Sequence, residues 1–395
     1  MEPGTDVRRV LVIGAGAAGL LIAQVLKKHG VPCTVFEQDT KADARPRDWN
    51  YGIYWAQSYL AECLPPELVS QLESAQVDSH TPSGSDILPT FNLATGEPLI
   101  SVSAPYSYRL QRRKFLNLIS TGIDIQYGKR LTMVDSDNKT VTAVFEDSSQ
   151  ATGNLLIGTE GAHSRVREYL LGKERAAVIP SRIVASATVS RLPEREVSAL
   201  RKLHPRYCIA IHPDGYFNWL GIHDEAAQSK DCTFMIILSW ISESDTGLSG
   251  TAIAADLKER ANTFGEPFRT VLQSIPSETT FWHNRLSSWP TQPWNSHNGT
   301  VTLAGDAAHP MTFHRGQGLN NAITDAAYFG RQLAALDTKS TESLSAVVTA
   351  FEEELWKRGN EAVTQSDINS LSVHNWEELK SSPLFTSGLK QRSST

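Results

Sequence analysis

A glycine-rich turn lies almost at the start of the chain, between an apolar run and a stretch of helix-forming residues. The apolar run is Val10 to Ile13, the turn reads Gly-Ala-Gly-Ala-Ala-Gly over residues 14–19, and residues 20–29 favour a helix. A short run that is wholly apolar is typical of a buried parallel strand. A strand, a turn of this spacing and a helix together form the first unit of a doubly wound α/β fold. The sequence therefore predicts a Rossmann-like domain.

The glycines of this turn predict a phosphate site. Gly14 permits the tight turn, Gly16 lets the backbone approach a pyrophosphate, and Gly19 lets helix and strand pack closely. The helix that follows offers free N–H groups and a partial positive charge to the anion. We expect the dinucleotide to lie against Gly14, Gly16, Ala18 and Gly19.

An acidic residue completes the pattern. Residues 31–36 are typical of the next strand, and Glu37 lies at its end. A carboxylate roughly 20 residues beyond the last glycine binds a ribose hydroxyl in folds of this kind. Because a carboxylate suits a ribose without a phosphate, Glu37 favours FAD or NAD over NADP at this site.

Bulk properties exclude several classes of function. The chain has 395 residues, which favours two domains, and its net charge of −6 comes without a long basic run, so nucleic-acid binding is not expected. Four cysteines lack C-x-x-C spacing, and neither the cysteines nor the histidines form a pattern that predicts a metal site. We expect no secretory leader and no membrane-spanning stretch, and hence a cytoplasmic enzyme.

Composition divides the chain into two interleaved parts. Residues 76–105 have the turns of a hairpin, and β character dominates from about 178 to 245 before a helix near 252–264. We therefore predict a discontinuous nucleotide-binding domain over 1–75, 106–178 and 282–395. A β-rich substrate domain is predicted over 76–105 and 179–281.

Two further motifs follow buried-strand patterns. Residues 155–167 include Glu160 followed by glycine, and residues 300–326 place Asp306 directly after a strand. Asp306 can accept hydrogen bonds from sugar-type hydroxyls. Gly316 and Gly318 precede a second helix, whose N-terminus near Leu319 is another site for negative charge.

The three motifs, in this order, resemble those of the single-component (class A) flavin-dependent aromatic monooxygenases, the group of para-hydroxybenzoate and salicylate hydroxylases. The resemblance covers nearly the whole chain. Residues 52–57, Gly-Ile-Tyr-Trp-Ala-Gln, are similar to a subset from fungal secondary metabolism. The resemblance implies an α/β fold, with an FAD-binding domain of the GR2 or para-hydroxybenzoate hydroxylase type and an inserted β-sheet-rich substrate domain.

The resemblance also implies cofactor contacts. Asp306 would bind the ribityl chain of FAD, and the N–H groups at Leu319 and Asn320, after Gly318, would face the pyrimidine edge of the flavin. Arg112 would contact the pyrophosphate and ribose. Arg45 or Arg47 would supply a second phosphate contact, with Arg45 the expected one. Glu160 stands where the family usually has Asp, in a motif linked to both FAD and nicotinamide.

The implied reaction is monooxygenation. NADPH or NADH would reduce the flavin transiently, and O₂ would add at C4a to give a hydroperoxide. One oxygen atom would pass to an aromatic, polyketide-type or indole-type small molecule, and hydroxylation is the leading expectation. Epoxidation and Baeyer–Villiger insertion stay open. Two other classes of protein also stay open: a flavin-dependent reductase or oxidase on the same scaffold, and a non-catalytic FAD-binding protein.

Substrate contacts are expected from aromatic residues of the β-rich domain. On the strand near 216–222, Phe217 and Trp219 share one face while Tyr216 lies on the other. Arg182 and Tyr216 are candidates for deprotonating or binding a phenol hydroxyl. Phe313 stands where the family often has Pro. The predicted substrate contacts are Phe217, Trp219, Trp240, Phe313 and His314.

Overall fold

The computed structural model describes residues 9–78, 86–104, 107–225, 232–244, 246–335 and 341–389. In chain order its strands are β1 (Val10–Ile13), β2 (Cys33–Glu37), β3 (Asn50–Ile53), β4 (Asp86–Asn92), β5 (Pro98–Ala104), β6 (Tyr108–Gln111), β7 (Ile125–Tyr127), β8 (Leu131–Ser136), β9 (Val141–Phe145), β10 (Gln150–Gly153), β11 (Leu155–Gly158), β12 (Ile179–Arg191), β13 (Tyr207–Ile211), β14 (Tyr216–Asp224), β15 (Thr233–Ile241), β16 (Trp282–Ser288) and β17 (Val301–Leu303).

The α-helices are α1 (Ala17–Lys28), α2 (Gln57–Cys63), α3 (Pro66–Val69), α4 (Arg112–Ile119), α5 (Arg165–Leu171), α6 (Lys173–Ala176), α7 (Glu194–Leu203), α8 (Thr251–Arg260), α9 (Phe268–Ser274), α10 (Gly318–Ala335), α11 (Thr341–Ser372) and α12 (Pro383–Ser387). Short 3-10 turns occur at Leu72–Ala75, Ala261–Thr263, Gly305–Ala307 and Leu379–Ser381. Among the described helices, none combines the length and the apolar character needed to cross a membrane.

A parallel sheet forms the first part of the fold, with the strand order β17-β11-β1-β2-β7. Every residue of β1 and β11 is buried, which explains why these strands are wholly apolar. Helix α1 packs against α10 on this sheet. The parallel pairing confirms the predicted α/β class and its Rossmann-like beginning.

A seven-stranded mixed sheet forms the second part, in the order β16-β12-β15-β14-β13-β4-β5. The predicted hairpin near residues 76–105 is present as β4 and β5, and its tip joins this sheet through β13. Strand β16 pairs with β12, so residues 282–288 extend this sheet. Composition predicted that the β-rich part ends at residue 281. The pairing extends its sheet beyond that residue, through β16.

The two faces of this sheet have different neighbours. One face packs against α8 and α9 through an apolar cluster that includes Leu220, Ile236 and Trp240. The opposite face carries Ile209, Phe217 and other apolar residues that pack against the end of β3 and the C-terminal segment. This second face is the one that borders the cavity described below.

The local predictions differ from the structure at the ends of elements and in the elements that were not predicted. Helix α1 starts at Ala17 rather than Leu20, because the turn already ends at Gly16, which lies at the N-cap position. No counterpart was predicted for strands β3, β6 and β10 or for helices α2, α3, α5, α6, α7 and α9. The predicted turn residues 82–84 lie outside the described residues.

Candidate active site

One cavity of about 1290 Å³ runs between the parallel sheet and the seven-stranded sheet. At one end it is lined by the turn after β1, and in the middle by Asp306 and the first residues of α10. At the other end its wall is the face of the seven-stranded sheet that carries Phe217. The cavity is thus polar where a dinucleotide is expected and aromatic where a substrate is expected.

The glycine turn forms the polar end. Gly14 has φ +106°, and a Cβ there would lie 2.8 Å from the Thr159 carbonyl oxygen. A Cβ at Gly19 would lie 2.1 Å from the Gly14 oxygen, so helix and strand could not pack as they do. At Gly16 a Cβ would meet no atom of the chain within 4 Å, and this residue lines the cavity with Ala18. The turn therefore leaves space for a ligand that approaches the backbone at Gly16.

Glu37 lies beside this turn with its carboxylate held by backbone N–H groups. Its Oε2 accepts from the Ala15 N–H at 2.8 Å and its Oε1 from the Asp39 N–H at 2.9 Å. Each oxygen retains a lone pair, so the carboxylate can still accept from ribose hydroxyls. Arg45 also lines the cavity and donates to Asp39 at 2.6 Å, while Arg47 lines the same end.

Arg112 is the first residue of α4 and lines the cavity. Its N–H donates to the Trp49 oxygen at 2.9 Å, and its side chain hydrogen bonds the Tyr51 hydroxyl. The structure thus fixes the start of this helix at the cavity wall. The contact of the Arg112 guanidinium with the pyrophosphate of FAD stays a prediction.

In the second motif, residues 155–167, the Glu160 side chain bonds to groups of the same motif. Glu160 Oε1 accepts from the Ser164 hydroxyl and from the Val166 N–H, both at 2.9 Å, at the start of α5. Burial raises the pKa of this carboxyl. Arg167 donates to the Ala307 oxygen at 2.8 Å, which ties the second motif to the third. The Glu160 carboxylate therefore caps α5, although the residue lines the cavity.

The third motif presents Asp306 to the cavity and buries Asp325 behind it. Asp325 accepts from the Gly305 N–H at 2.7 Å, and the His309 ring lies 2.8 Å from the same oxygen. Arg358 of α11 donates to the other oxygen at 2.6 Å. These bonds fix the turn that aims Asp306 at the cavity.

The first turn of α10 borders the same region of the cavity. Gly318 and Leu319 line the cavity, and N–H groups in a first turn have no partner within their helix. The Asn320 side chain donates to the Gly52 oxygen at 3.0 Å and accepts from the Tyr54 N–H at 2.9 Å. Asn320 therefore joins α10 to the end of β3 through its side chain.

Phe217 and Trp219 line the aromatic end, as does Phe313, whose ring stacks on His314 with centroids 4.3 Å apart. His314 also lines the cavity, but both ring nitrogens are engaged, one 3.0 Å from the Ser239 hydroxyl and one 2.7 Å from the Ser370 hydroxyl. Burial lowers the pKa of His314 well below its usual range. His314 is therefore a neutral part of the cavity wall.

Three of the proposed contacts lie elsewhere. The Arg182 side chain is 62% exposed and pairs with Glu243 on the surface. Tyr216 and Trp240 are cross-strand neighbours on the face of the sheet that packs against α8, beside Arg260. Side chains alternate along β14, so Tyr216 and Phe217 cannot both face the cavity. These placements correct the expectation that Arg182, Tyr216 and Trp240 contact a substrate.

Among the residues of the cavity wall that sequence reasoning missed are Arg109 of β6 and Tyr54, which follows β3. No role was predicted for Arg109, and Tyr54 was noted only as part of the 52–57 motif. The antiparallel pairing of β3 with β6 brings them together, with Arg109 Nη2 donating to the Tyr54 hydroxyl at 3.3 Å. That pairing leaves no local signal in the sequence.

Comparisons with known proteins agree with this geometry. A family model described as an FAD binding domain matches residues 8–48 and 116–365. FAD-dependent monooxygenase phnB of Penicillium herquei is 33% identical over 386 residues, which span 96% of this chain and 94% of that protein. FAD-dependent monooxygenase dbaB of Emericella nidulans is 34% identical and spans 82% of this chain and 86% of that protein.

Solved structures share the fold at lower sequence identity. Klebsiella pneumoniae HpxO, complexed with FAD and uric acid, aligns with a TM-score of 0.76 and 18% identity, covering 97% of this chain and 93% of that chain. The 2,6-dihydroxypyridine-3-hydroxylase of Arthrobacter nicotinovorans aligns with a TM-score of 0.70 and 18% identity, covering 98% and 95%. The chain therefore belongs to the FAD-binding-domain family, and it is an FAD-dependent monooxygenase.

Proposed function

We propose that this enzyme consumes NADPH or NADH and inserts one oxygen atom from O₂ into a planar aromatic small molecule, as a hydroxylase of secondary metabolism. The observation that carries the proposal is the continuous cavity, which joins a polar groove at the glycine turn to an aromatic-walled chamber. FAD bound there supplies the activation of oxygen once it has received electrons from the nicotinamide.

The residues of this chain have separate tasks in the proposal. The turn at Gly16 and the start of α1 bind the pyrophosphate, Glu37 binds the adenosine ribose, and Asp306 binds the ribityl chain. The first turn of α10 stabilises negative charge at the pyrimidine edge. Arg45 and Arg112 contribute positive charge along the phosphates.

The aromatic end supports a flat substrate. Phe217, Trp219 and Trp282 line it together with smaller apolar residues. Aromatic side chains favour stacked or edge-to-face contact with a planar ring. One structural neighbour was solved with uric acid bound and another is named as a 2,6-dihydroxypyridine hydroxylase; both compounds are planar rings with oxygen substituents. We extend that chemical class to this enzyme.

The test is oxygen incorporation. Purified holoenzyme is incubated with NADPH or NADH, ¹⁸O₂ and a panel of hydroxylated mono-, bi- and tricyclic aromatics, and the products are weighed by mass spectrometry. The proposal expects a compound that both stimulates NAD(P)H oxidation and gains one labelled oxygen atom. Stimulated NAD(P)H oxidation that yields hydrogen peroxide and no labelled product, for every compound, would favour the reductase or oxidase alternative.

A further inference from the structure

A buried arginine lies at the junction of the two sheets without a negative partner. Arg109 is 5% exposed, and its guanidinium lies over the rings of Trp219 and Tyr207, 4.6 and 4.9 Å from their centroids. Its Nη1 donates to Asn50 Oδ1 at 3.2 Å and its Nη2 to the Tyr54 hydroxyl at 3.3 Å. Both acceptors are neutral, and no carboxylate in the described part of the chain matches its charge.

Burial of an unmatched charge is costly, because the charge loses its hydration and gains no opposite charge in return. Arg109 nevertheless lines the cavity rather than the packed interior. Its Nε–H is buried and has no hydrogen-bond acceptor within the described residues. A cation in this setting is suited to an anion that enters from the cavity.

A second donor near Arg109 is also unused. The indole Nε1–H of Trp219 is buried without an acceptor among the residues that the structure describes, and Trp219 lines the cavity. Indole nitrogen can only donate, so this group also requires an acceptor. Two unsatisfied donors and one cation thus occur within one stacked cluster.

Tyr54 connects this cluster to the flavin site. Its hydroxyl accepts from Arg109, so its own proton is available to a further acceptor. An ideal Cβ at Gly316, which has φ +61°, would lie 3.1 Å from this hydroxyl, so the hydroxyl reaches the glycines before α10. An oxygen bound by Tyr54 would therefore be close to the expected pyrimidine end of the flavin.

We propose that Arg109 and Tyr54, with the Trp219 indole, form a subsite for an ionised oxygen substituent, a phenolate or enolate, on the aromatic substrate. The proposal rests on the proposed function and names its substrate class. Ionisation breaks the O–H bond of the substrate, and the proton leaves to solvent. The electron pair stays on the oxygen, and the Arg109 guanidinium stabilises the negative charge. The phenolate oxygen in turn donates electron density to the aromatic ring.

The test measures ligand ionisation in the oxidised holoenzyme without nicotinamide, so that no turnover is needed. The probes are 4-nitrophenol and 4-nitro-1-naphthol, whose absorbance distinguishes phenol from phenolate, together with their non-ionisable methyl ethers. The variants are Arg109→Met, Arg109→Lys and Tyr54→Phe. Arg182→Met is the matched control, because Arg182 is exposed and lies outside the cavity.

We expect the wild type to bind the probes as phenolates at a pH below that of their ionisation in water. Arg109→Met should weaken phenolate binding on the order of 10- to 100-fold and return the ionisation of the bound probe to higher pH. Arg109→Lys and Tyr54→Phe should show smaller losses. Binding of the methyl ethers should change less than about twofold in every variant, and Arg182→Met should match the wild type.

Other outcomes overturn the assignment. Failure of the wild type to bind either probe as phenolate would do so, as would equal losses for phenols and methyl ethers in Arg109→Met. Lowered FAD affinity with unchanged probe binding would assign Arg109 to the flavin instead. Since the assay needs only bound FAD, its result is separate from the labelled-oxygen test of the proposed function.

Discussion

At the scale of residues, the Glu37 carboxylate is buried at the edge of the cavity and is already held by hydrogen bonds. Glu37 is 8% exposed, yet it faces the groove with both oxygens already held by backbone N–H groups. Those bonds fix the carboxylate in the groove, so little ordering would remain for the proposed binding of a ribose there. Asp306 differs, because it is exposed to the cavity and only its backbone is fixed, through the bond from the neighbouring Gly305 N–H to Asp325.

Glu37→Gln should lower FAD affinity on the order of 10- to 100-fold. An amide has one oxygen where the carboxylate has two, so either the Ala15 or the Asp39 N–H would face an NH₂ group. Titration of apoprotein with FAD, followed by flavin fluorescence, measures the change. Glu62→Gln is the control, because Glu62 pairs with Arg331 at the surface. Equal FAD affinity in wild type and Glu37→Gln would contradict the ribose assignment.

Glu352 gives a pH-dependent stability. Burial raises its pKa from 4.5 to about 7, although the Thr302 hydroxyl and the Trp294 indole both donate to Oε1 at 2.7 Å. The folded state therefore binds this proton more tightly than the unfolded state. The contribution of Glu352 to the free energy of unfolding falls as pH rises from about 4.5 to about 7.

Glu352→Gln should remove this dependence. Relative to wild type, the variant should become more stable with rising pH, by up to about 3 kcal/mol between pH 4.5 and pH 7. Urea unfolding at a series of pH values measures the difference. Other groups titrate identically in both proteins. If the difference in the free energy of unfolding between variant and wild type stays constant with pH, the pKa of Glu352 is not raised.

At the scale of elements, helices α10 and α11 together fix the turn after β17, which carries Asp306 of the third motif. Asp325 of α10 binds the Gly305 N–H and His309, and Arg358 of α11 binds Asp325 from the other side. Helix α11 therefore helps to position a loop that lies far from it in sequence. Helix α11 acts through the ion pair between Arg358 and Asp325.

Asp325→Asn should lower the free energy of unfolding by about 3–5 kcal/mol, because it leaves Arg358 buried with its charge only partly matched. FAD affinity should fall as well, since Gly305 and Asp306 lose their anchor. Chemical unfolding and flavin titration measure the two effects. Glu354→Gln, which removes the less buried partner of Arg358, should cost less than about 1 kcal/mol. Similar losses in the two variants would contradict a central role for Asp325.

Elements whose pattern is local were predictable from the sequence. The glycine turn after β1 follows from the spacing of its glycines. The strand character of β12 to β15 follows from their apolar periodicity. Strand β16 was assigned to the wrong part, because its pairing with β12 joins residues about a hundred positions apart. Tyr216 and Trp240 were misassigned because alternation reveals which residues share a face, but not which face meets the cavity.

At the scale of the whole molecule, the cavity lies between two sheets, and helix α4 and strand β3 both bond to β14 of the seven-stranded sheet. Lys114 pairs with Asp224 at 2.8 Å, and Asn50 donates to the Ile222 oxygen at 3.0 Å. A ligand that fills the cavity should therefore stabilise both sheets together. The long-range fold was predictable from the resemblance, whereas the Arg109 cluster was not, because it exists only where the sheets meet.

FAD should raise the thermal midpoint of the entire chain in one transition. At a free concentration about 1,000 times its Kd, FAD contributes about 4 kcal/mol to the stability of the folded state. Calorimetry of apoprotein and holoenzyme measures the shift. FMN, which lacks the adenosine for which Glu37 is the proposed contact, is the control and should stabilise less. Two separate transitions, of which only one responds to FAD, would contradict coupling of the two sheets.

The alternation of side chains on the seven-stranded sheet has a consequence for redesign. The positions that touch the chamber are every second residue of their strands, and the residues between them belong to the apolar layer under α8 and α9. Mutagenesis confined to the chamber set would alter the range of accepted compounds while the layer behind keeps its packing. That set comprises Ala185, Ala187, Ile209, Phe217, Trp219, Met235 and Ile237.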